Sequence, residues 1–330
     1  MKTKLIIFFS CLFMLAACNG TSVQIVFDES IYEDLTEKEL SQFINSEEFM
    51  ESAIIEKKEV IKSVKYSDLI MTLKLDEVPS VLSRFSLPKI GNVSLSDNIK
   101  CLTLPDRFME IGDNVFYGYE DLACVNLPSE MTKIGRSVFE NCVSLVDLTI
   151  PSSVTDIGSR AFAGCVDLPS IVIPSMVNSI GTAAFMSCTG LKSVELPSSL
   201  NEISSHMFFG CTSLEGISIP VGVTNIGLSA FGNCSSLTYA IISDSVTNIE
   251  NGAFYACSAL SNIEIPSSVT RINPNAFEKC TGLTTLNIPP NVRYIGAWAF
   301  RDCTNLLKVN ISSSTSLGSD VFAGCINLER

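Results

Sequence analysis

Ile-Pro-Ser-Ser-Val-Thr-Asp-Ile-Gly-Ser-Arg-Ala-Phe-Ala-Gly-Cys at positions 150–165 returns at 265–280 as Ile-Pro-Ser-Ser-Val-Thr-Arg-Ile-Asn-Pro-Asn-Ala-Phe-Glu-Lys-Cys. The leading residue of this motif falls at Leu104, Leu127, Ile150, Ile173, Leu196, Ile219, Ile242, Ile265, Ile288 and Ile311, always 23 residues apart. A fixed period of this length marks one supersecondary unit that cannot bury its own apolar face and must stack on its neighbours. The chain therefore reads as a solenoid of about ten units, a quasi-one-dimensional array in which each unit touches only the next. Its length of 330 residues then says little about the number of domains.

Within a unit, Leu145, Leu148 and Ile150 precede Pro151 with the alternation of a short strand whose inward side chains sit two apart. Proline ends that strand. Val154 and Ile157 are expected to point inward, Gly158 to allow a backbone reversal, and Ala161-Phe162 with Cys165 to form a turn or brief helical segment on the second side. Stacked in parallel at about 4.8 Å per strand, ten units span roughly 45–50 Å, which makes a surface rather than a cleft.

The chain divides at 18 and 85. Residues 1–18 carry Lys2 and Lys4, an apolar run from Leu5 to Phe13, and Leu15-Ala16-Ala17-Cys18, the layout of a secretory signal ending in small residues. That ending resembles a bacterial lipobox, which implies that Cys18 becomes the lipid-modified first residue of the mature protein and a membrane anchor. An ordinary signal cut near Ala17 and an uncleaved anchor are the alternatives, although the apolar stretch is short for a bilayer. Residues 19–85 are acidic, lack the repeat, and are expected to be a mainly helical tether or cap. Thr36-Glu37-Lys38-Glu39 opens one helix there, Ser46 caps a second, and a strand is expected between Ser67 and Leu75. Residues 86–330 hold the repeats. With 22 Lys+Arg against 35 Asp+Glu, a net charge of −13 and no basic stripe, a nucleic-acid partner is not expected.

The recurring Leu-x-x-Leu-x-Ile-Pro-x-x-Val-x-x-Ile-Gly-x-x-Ala-Phe-x-x-Cys, traced over about 101–330, resembles the BspA-like, or Treponema-type, class of leucine-rich repeat. The resemblance implies a right-handed solenoid with α/β-type repeats, its short parallel strands lining a concave face. It also implies a surface or secreted bacterial protein, some relatives being adhesins for host matrix proteins or other microbes. The family has no fixed binding motif, so it transfers no site residue.

Cys142, Cys165, Cys188, Cys211, Cys234, Cys257, Cys280, Cys303 and Cys325 recur in successive repeats, as small buried side chains of a ladder would. The CxxC or Cys/His spacing of a metal array is absent, and neither metal nor cofactor is expected. Cys101 and Cys124, also 23 apart but at an outward strand position, could approach closely enough for a disulfide. In-register parallel strands orient their sulfurs poorly, so free thiols are expected there. His206, the one histidine, occupies a variable position that reads as exposed, and supports no triad or metalloprotease site. Catalysis is not expected.

What remains is the outward strand surface, mostly small and uncharged, where Tyr239 and Ile241 form the one apolar, aromatic-containing island and the natural anchor for a ligand. Glu195, Glu264 and Asn287 share the column of Ile241 and complete the candidate contact set. A local register shift around Ala240 would instead turn Tyr239 and Ile241 inward. The expected function is binding of an extracellular or envelope protein, or a glycan, by a lipid-anchored envelope protein of adhesin type, with the outer membrane favoured. A non-catalytic scaffold of the periplasm or outer membrane is the alternative.

Overall fold

The computed structural model describes residues 23–27, 69–73, 81–82 and 100–329, except 105 and 107. Each repeat forms two short strands. The first strand ends just before the motif's leading Ile or Leu, as in Ser170–Val172, Gly216–Ser218 and Tyr239–Ile241; the second is two residues long, as in Asp156–Ile157 and Asn225–Ile226. Each kind pairs in parallel with its counterpart 23 residues away, Ile217 opposite Ala240 and Ile157 opposite Ile180. The solenoid is thus walled by two ladders. The second is interrupted between Ser179–Ile180 and Glu202–Ile203, and the first between Asn262–Ile263 and Thr285–Asn287, between Ser193–Glu195 and Gly216–Ser218, and between Asp147–Leu148 and Ser170–Val172. Pro169 lies at the last of these breaks, where other repeats donate a backbone N–H to the preceding repeat, as Val146 does to Ala123 and Lys192 to Pro169.

Val23–Phe27 pairs with Leu69–Leu73, and Ile70–Thr72 pairs with Cys101–Thr103, so the strand expected between 67 and 75 continues the first ladder. The expected helices at 36–44 and 46–60, the signal segment and Cys18 lie outside the described residues.

Where the sequence allowed a helical segment after Gly158, and the resemblance implied α/β-type repeats, no helix occurs among the described residues. Two left-handed residues per repeat replace it, four apart: Ser137 and Asn141, Arg160 and Gly164, Ala183 and Ser187, His206 and Gly210. Their alternation with ordinary residues turns successive amides toward the same neighbour. The N–H groups of Arg160, Phe162 and Gly164 donate to the carbonyls of Thr182, Ala184 and Met186 in the next repeat at 2.7–2.9 Å. A left-handed non-glycine residue costs roughly 1–2 kcal/mol. Three hydrogen bonds at each junction hold that geometry in place.

The same stacking explains the motif glycine differently from the expected reversal. Gly158 and Gly181 have no left-handed φ; a β-carbon at Gly181 would lie 2.3 Å from the Ser159 nitrogen and 2.6 Å from its Cα. The glycine lets one repeat's backbone rest directly on the preceding one.

The core is a stack of aromatic rings. Phe116, Phe139, Phe162, Phe185, Phe208, Phe231, Phe254, Phe277 and Phe300 are fully buried, with successive ring centroids 5.2–5.5 Å apart and planes within 13° of parallel. Tyr119, standing where later repeats place cysteine, packs edge-on against Phe116 at 5.6 Å. Beside the rings runs the cysteine ladder. Eight of its members are buried and Cys325 is half-buried. Each thiol donates to the carbonyl of the phenylalanine one repeat earlier, Cys211 to Phe185 at 3.1 Å and Cys234 to Phe208 at 3.2 Å. Cysteine is therefore a donor as well as a small apolar filler, which alanine would not be.

The last repeat lacks one residue. Thr315 still lies 23 residues beyond Val292, whose carbonyl its hydroxyl meets, but Ser316 pairs with Tyr294. The deletion therefore falls directly before the second strand, and ring stacking resumes with Phe322 on Phe300 at 5.7 Å.

Candidate interaction surface

The outward positions of the first strands form the candidate surface, and their register settles the two readings of Tyr239 and Ile241. Gly216, Ile217 and Ser218 pair with Tyr239, Ala240 and Ile241 without slippage. Ala240 is the inward residue, 4% exposed, while Tyr239 is 46% and Ile241 59% exposed. No register shift occurs, and alanine merely fills an inward site that larger side chains occupy elsewhere.

Tyr239 is also held in position. A β-carbon at Gly216 would lie 2.2 Å from Tyr239 Cζ and 2.5 Å from its hydroxyl, so the ring lies over the neighbouring strand where any other residue would project. Glycine at 216 is thus a feature of the face. An aromatic seated on backbone loses little rotamer freedom when it is covered, which suits a binding anchor.

Ile241 shares its column with Glu195 and Glu264, both exposed, and with exposed Asn287. Neither glutamate side chain has a hydrogen bond or ion pair among the described residues, whereas Asn287 accepts from Asn310 in an amide ladder. Further from the island, Val172 is 63% exposed in the same column.

Contrary to expectation, Cys101 and Cys124 form a disulfide, with their Cα atoms 4.5 Å apart. The ladder pairs them directly, and that distance lies within the range a disulfide spans. The bridge staples two adjacent repeats on the same outward face.

His206 is half-buried rather than exposed, its ring edge-on to Phe209 at 5.9 Å, and it occupies a left-handed position with φ of 56°. The variability of its column hides a constant backbone. Within that column the sequence offered no reason to single out Arg160, which meets buried Glu140 of the preceding repeat through Nε at 2.9 Å and through Nη2. Burial would raise the Glu140 carboxyl, but hydrogen bonds from Arg160 and Ser137 hold it below its usual range. This pair is structural. Among the described residues no group of three or more His, Cys, Asp or Glu side chains could hold a metal ion.

An open groove also follows the turn edge of the solenoid past Thr212, Ser235, Ser258 and Thr281. Those hydroxyls already donate to the preceding repeat's carbonyls, which leaves the groove without free donors from them.

The profile described as "BspA type Leucine rich repeat region" fits residues 89–215 and 201–329, with six copies. Among solved structures the chain is similar to a leucine-rich repeat protein from Bacteroides ovatus, 28% identical over 70% of this chain and 77% of that one, with a TM-score of 0.35. It is similar to a leucine-rich cell surface protein from Faecalibacterium prausnitzii, 26% identical over 70% and 78% of the two chains, with a TM-score of 0.39. The pneumococcal vaccine antigen PcpA is 19% identical over 70% and 69%, with a TM-score of 0.48. No curated protein matches the chain.

Proposed function

Given that this chain belongs to the BspA-type leucine-rich repeat family, we propose that its solenoid is a binding module which takes a macromolecular partner on the outward face of the first strands. The reading extends to a lipid-anchored envelope protein of adhesin type, tethered through Cys18 and recognising an extracellular protein. One observation carries the choice of face: a half-exposed aromatic ring seated on a glycine strand beside exposed Ile241, within a surface whose other members are mostly small or polar. Large hydrophobic side chains held rigid at a surface are the residues that dominate interface energetics.

Two measurements test this reading. Brief proteinase treatment of intact cells is expected to remove the repeats while a periplasmic control protein survives; full protection would favour the envelope scaffold instead. Tyr239→Ala is expected to leave stability within about 0.5 kcal/mol, since the ring is half-exposed, and to weaken attachment of the full chain to immobilised host matrix proteins or microbial surfaces. Unchanged attachment would remove Tyr239 from the site.

A further inference from the structure

The column that carries Ile241 reads Glu195, Ser218, Ile241, Glu264, one residue per repeat. At strand spacing it extends about 14 Å, the reach of four or five residues of extended chain. Its apolar member therefore sits between two carboxylates along the solenoid axis. Both are exposed, and neither has a hydrogen bond or ion pair among the described residues. Glu215, which directly precedes Gly216 under the Tyr239 ring, is a third exposed glutamate without a side-chain partner. Lys192, beside the strand of Glu195, is a nearby cation set against these three. A surface that leaves its carboxylates unneutralised around an apolar anchor presents a field that favours cations and disfavours acidic competitors. The exposed Tyr239 ring adds a face on which a guanidinium or ammonium can rest.

We infer that the segment received here is an extended, cationic stretch of a partner protein, with an apolar side chain at its centre and Lys or Arg on either side. This rests on the reading of the Tyr239 face as the binding surface. The apolar side chain covers Tyr239 and Ile241, while the flanking cations lie against Glu195 and Glu264. Anionic glycans and acidic proteins are excluded by the same charges.

The test uses the purified full chain and arrays of short immobilised peptides, each with a central Leu, Phe or Trp flanked by Lys/Arg, by Ser, or by Asp/Glu. The cationic array is expected to bind at least about tenfold better than the serine array, and the acidic array least, with the preference fading toward about 0.5 M salt. Glu195→Gln combined with Glu264→Gln is expected to abolish the preference while leaving weak binding to the serine array. Ile241→Ser is expected to lower binding to every array, with unchanged thermal unfolding showing that the fold survives. Equal binding to the three arrays, or a preference that survives the double substitution, overturns the cationic partner and leaves the face standing, provided Ile241→Ser still weakens binding. If Ile241→Ser changes nothing, or no array binds above that variant's level, or an anionic glycan binds and competes at this face, the inference falls. In the first of those cases the reading of the face falls with it.

Discussion

Phe185→Ala is expected to destabilise the solenoid by about 3–5 kcal/mol, the range for buried phenylalanine truncations. Its ring is fully buried between Phe162 at 5.2 Å and Phe208 at 5.5 Å, so the variant leaves a gap in the middle of the stack. Neighbouring rings are fixed by their own backbone ladders, as Phe185 N–H is by Met207 O at 2.9 Å, and cannot close that gap by sliding. In a one-dimensional array a lesion at a central interface also separates the repeats on either side. Urea unfolding followed by circular dichroism should accordingly broaden or divide into two transitions. A loss below about 1 kcal/mol, within the ordinary range for point substitutions, would show that the ring stack contributes little to cohesion.

A steep loss of structure above pH 9 is the second large effect expected. Burial pushes the Cys142 and Cys234 thiols up to about 12. Burial likewise raises Cys165, Cys211, Cys257 and Cys280. In the folded chain these thiols remain protonated, whereas in the unfolded chain each ionises near its ordinary value of 9.0. Above that pH the unfolded state binds fewer protons, so stability complete below pH 9 is lost as pH rises toward 12. Each thiol contributes up to about 1.4 kcal/mol per pH unit, and six acting together approach about 8 kcal/mol per unit, comparable to the whole stability of an ordinary domain.

A pH titration by circular dichroism should show an abrupt transition between pH 9 and 11. Replacing Cys165, Cys211 and Cys257 with alanine should move the midpoint upward while lowering stability at neutral pH, because three carbonyls lose their donors. An alkaline transition that ignores these substitutions would assign it to other groups. Among the ladder thiols, iodoacetamide at mild alkaline pH should reach Cys325 first, since that thiol is half-buried where the other eight are buried.

How much of this was legible in the sequence differs from one position to the next. The inward residues were readable because a solenoid repeats them at one period, and Val154, Ile157, Phe162 and Cys165 are all buried. The left-handed positions were only partly so: Asn141, Gly164, Gly210 and Asn233 suit such a backbone, whereas Arg160, Ala183 and Trp298 do not. The hydrogen bonds that stabilise them come from the next repeat, and no local rule reports those. Gly158 misled for the same reason, its constraint being imposed by Gly135 and Arg136 one repeat earlier. Arg160 and Glu140 lie 20 residues apart in neighbouring repeats, and nothing around either residue announces their ion pair.

Taken alone, the amino-acid order determined that this chain is a stacked array of 23-residue units with a phenylalanine and cysteine core, because side chains buried at every repeat impose their period on the chain. It also narrowed the candidate surface to the outward strand positions. Only the tertiary structure decided that Tyr239 and Ile241 face outward, that Tyr239 lies over Gly216, that Cys101 and Cys124 are joined, and that among the described residues the turn edge contains no helix. Each of those outcomes depends on register between neighbouring repeats, a relation set by backbone hydrogen bonds and contact across 23 residues rather than by the local preference of any residue.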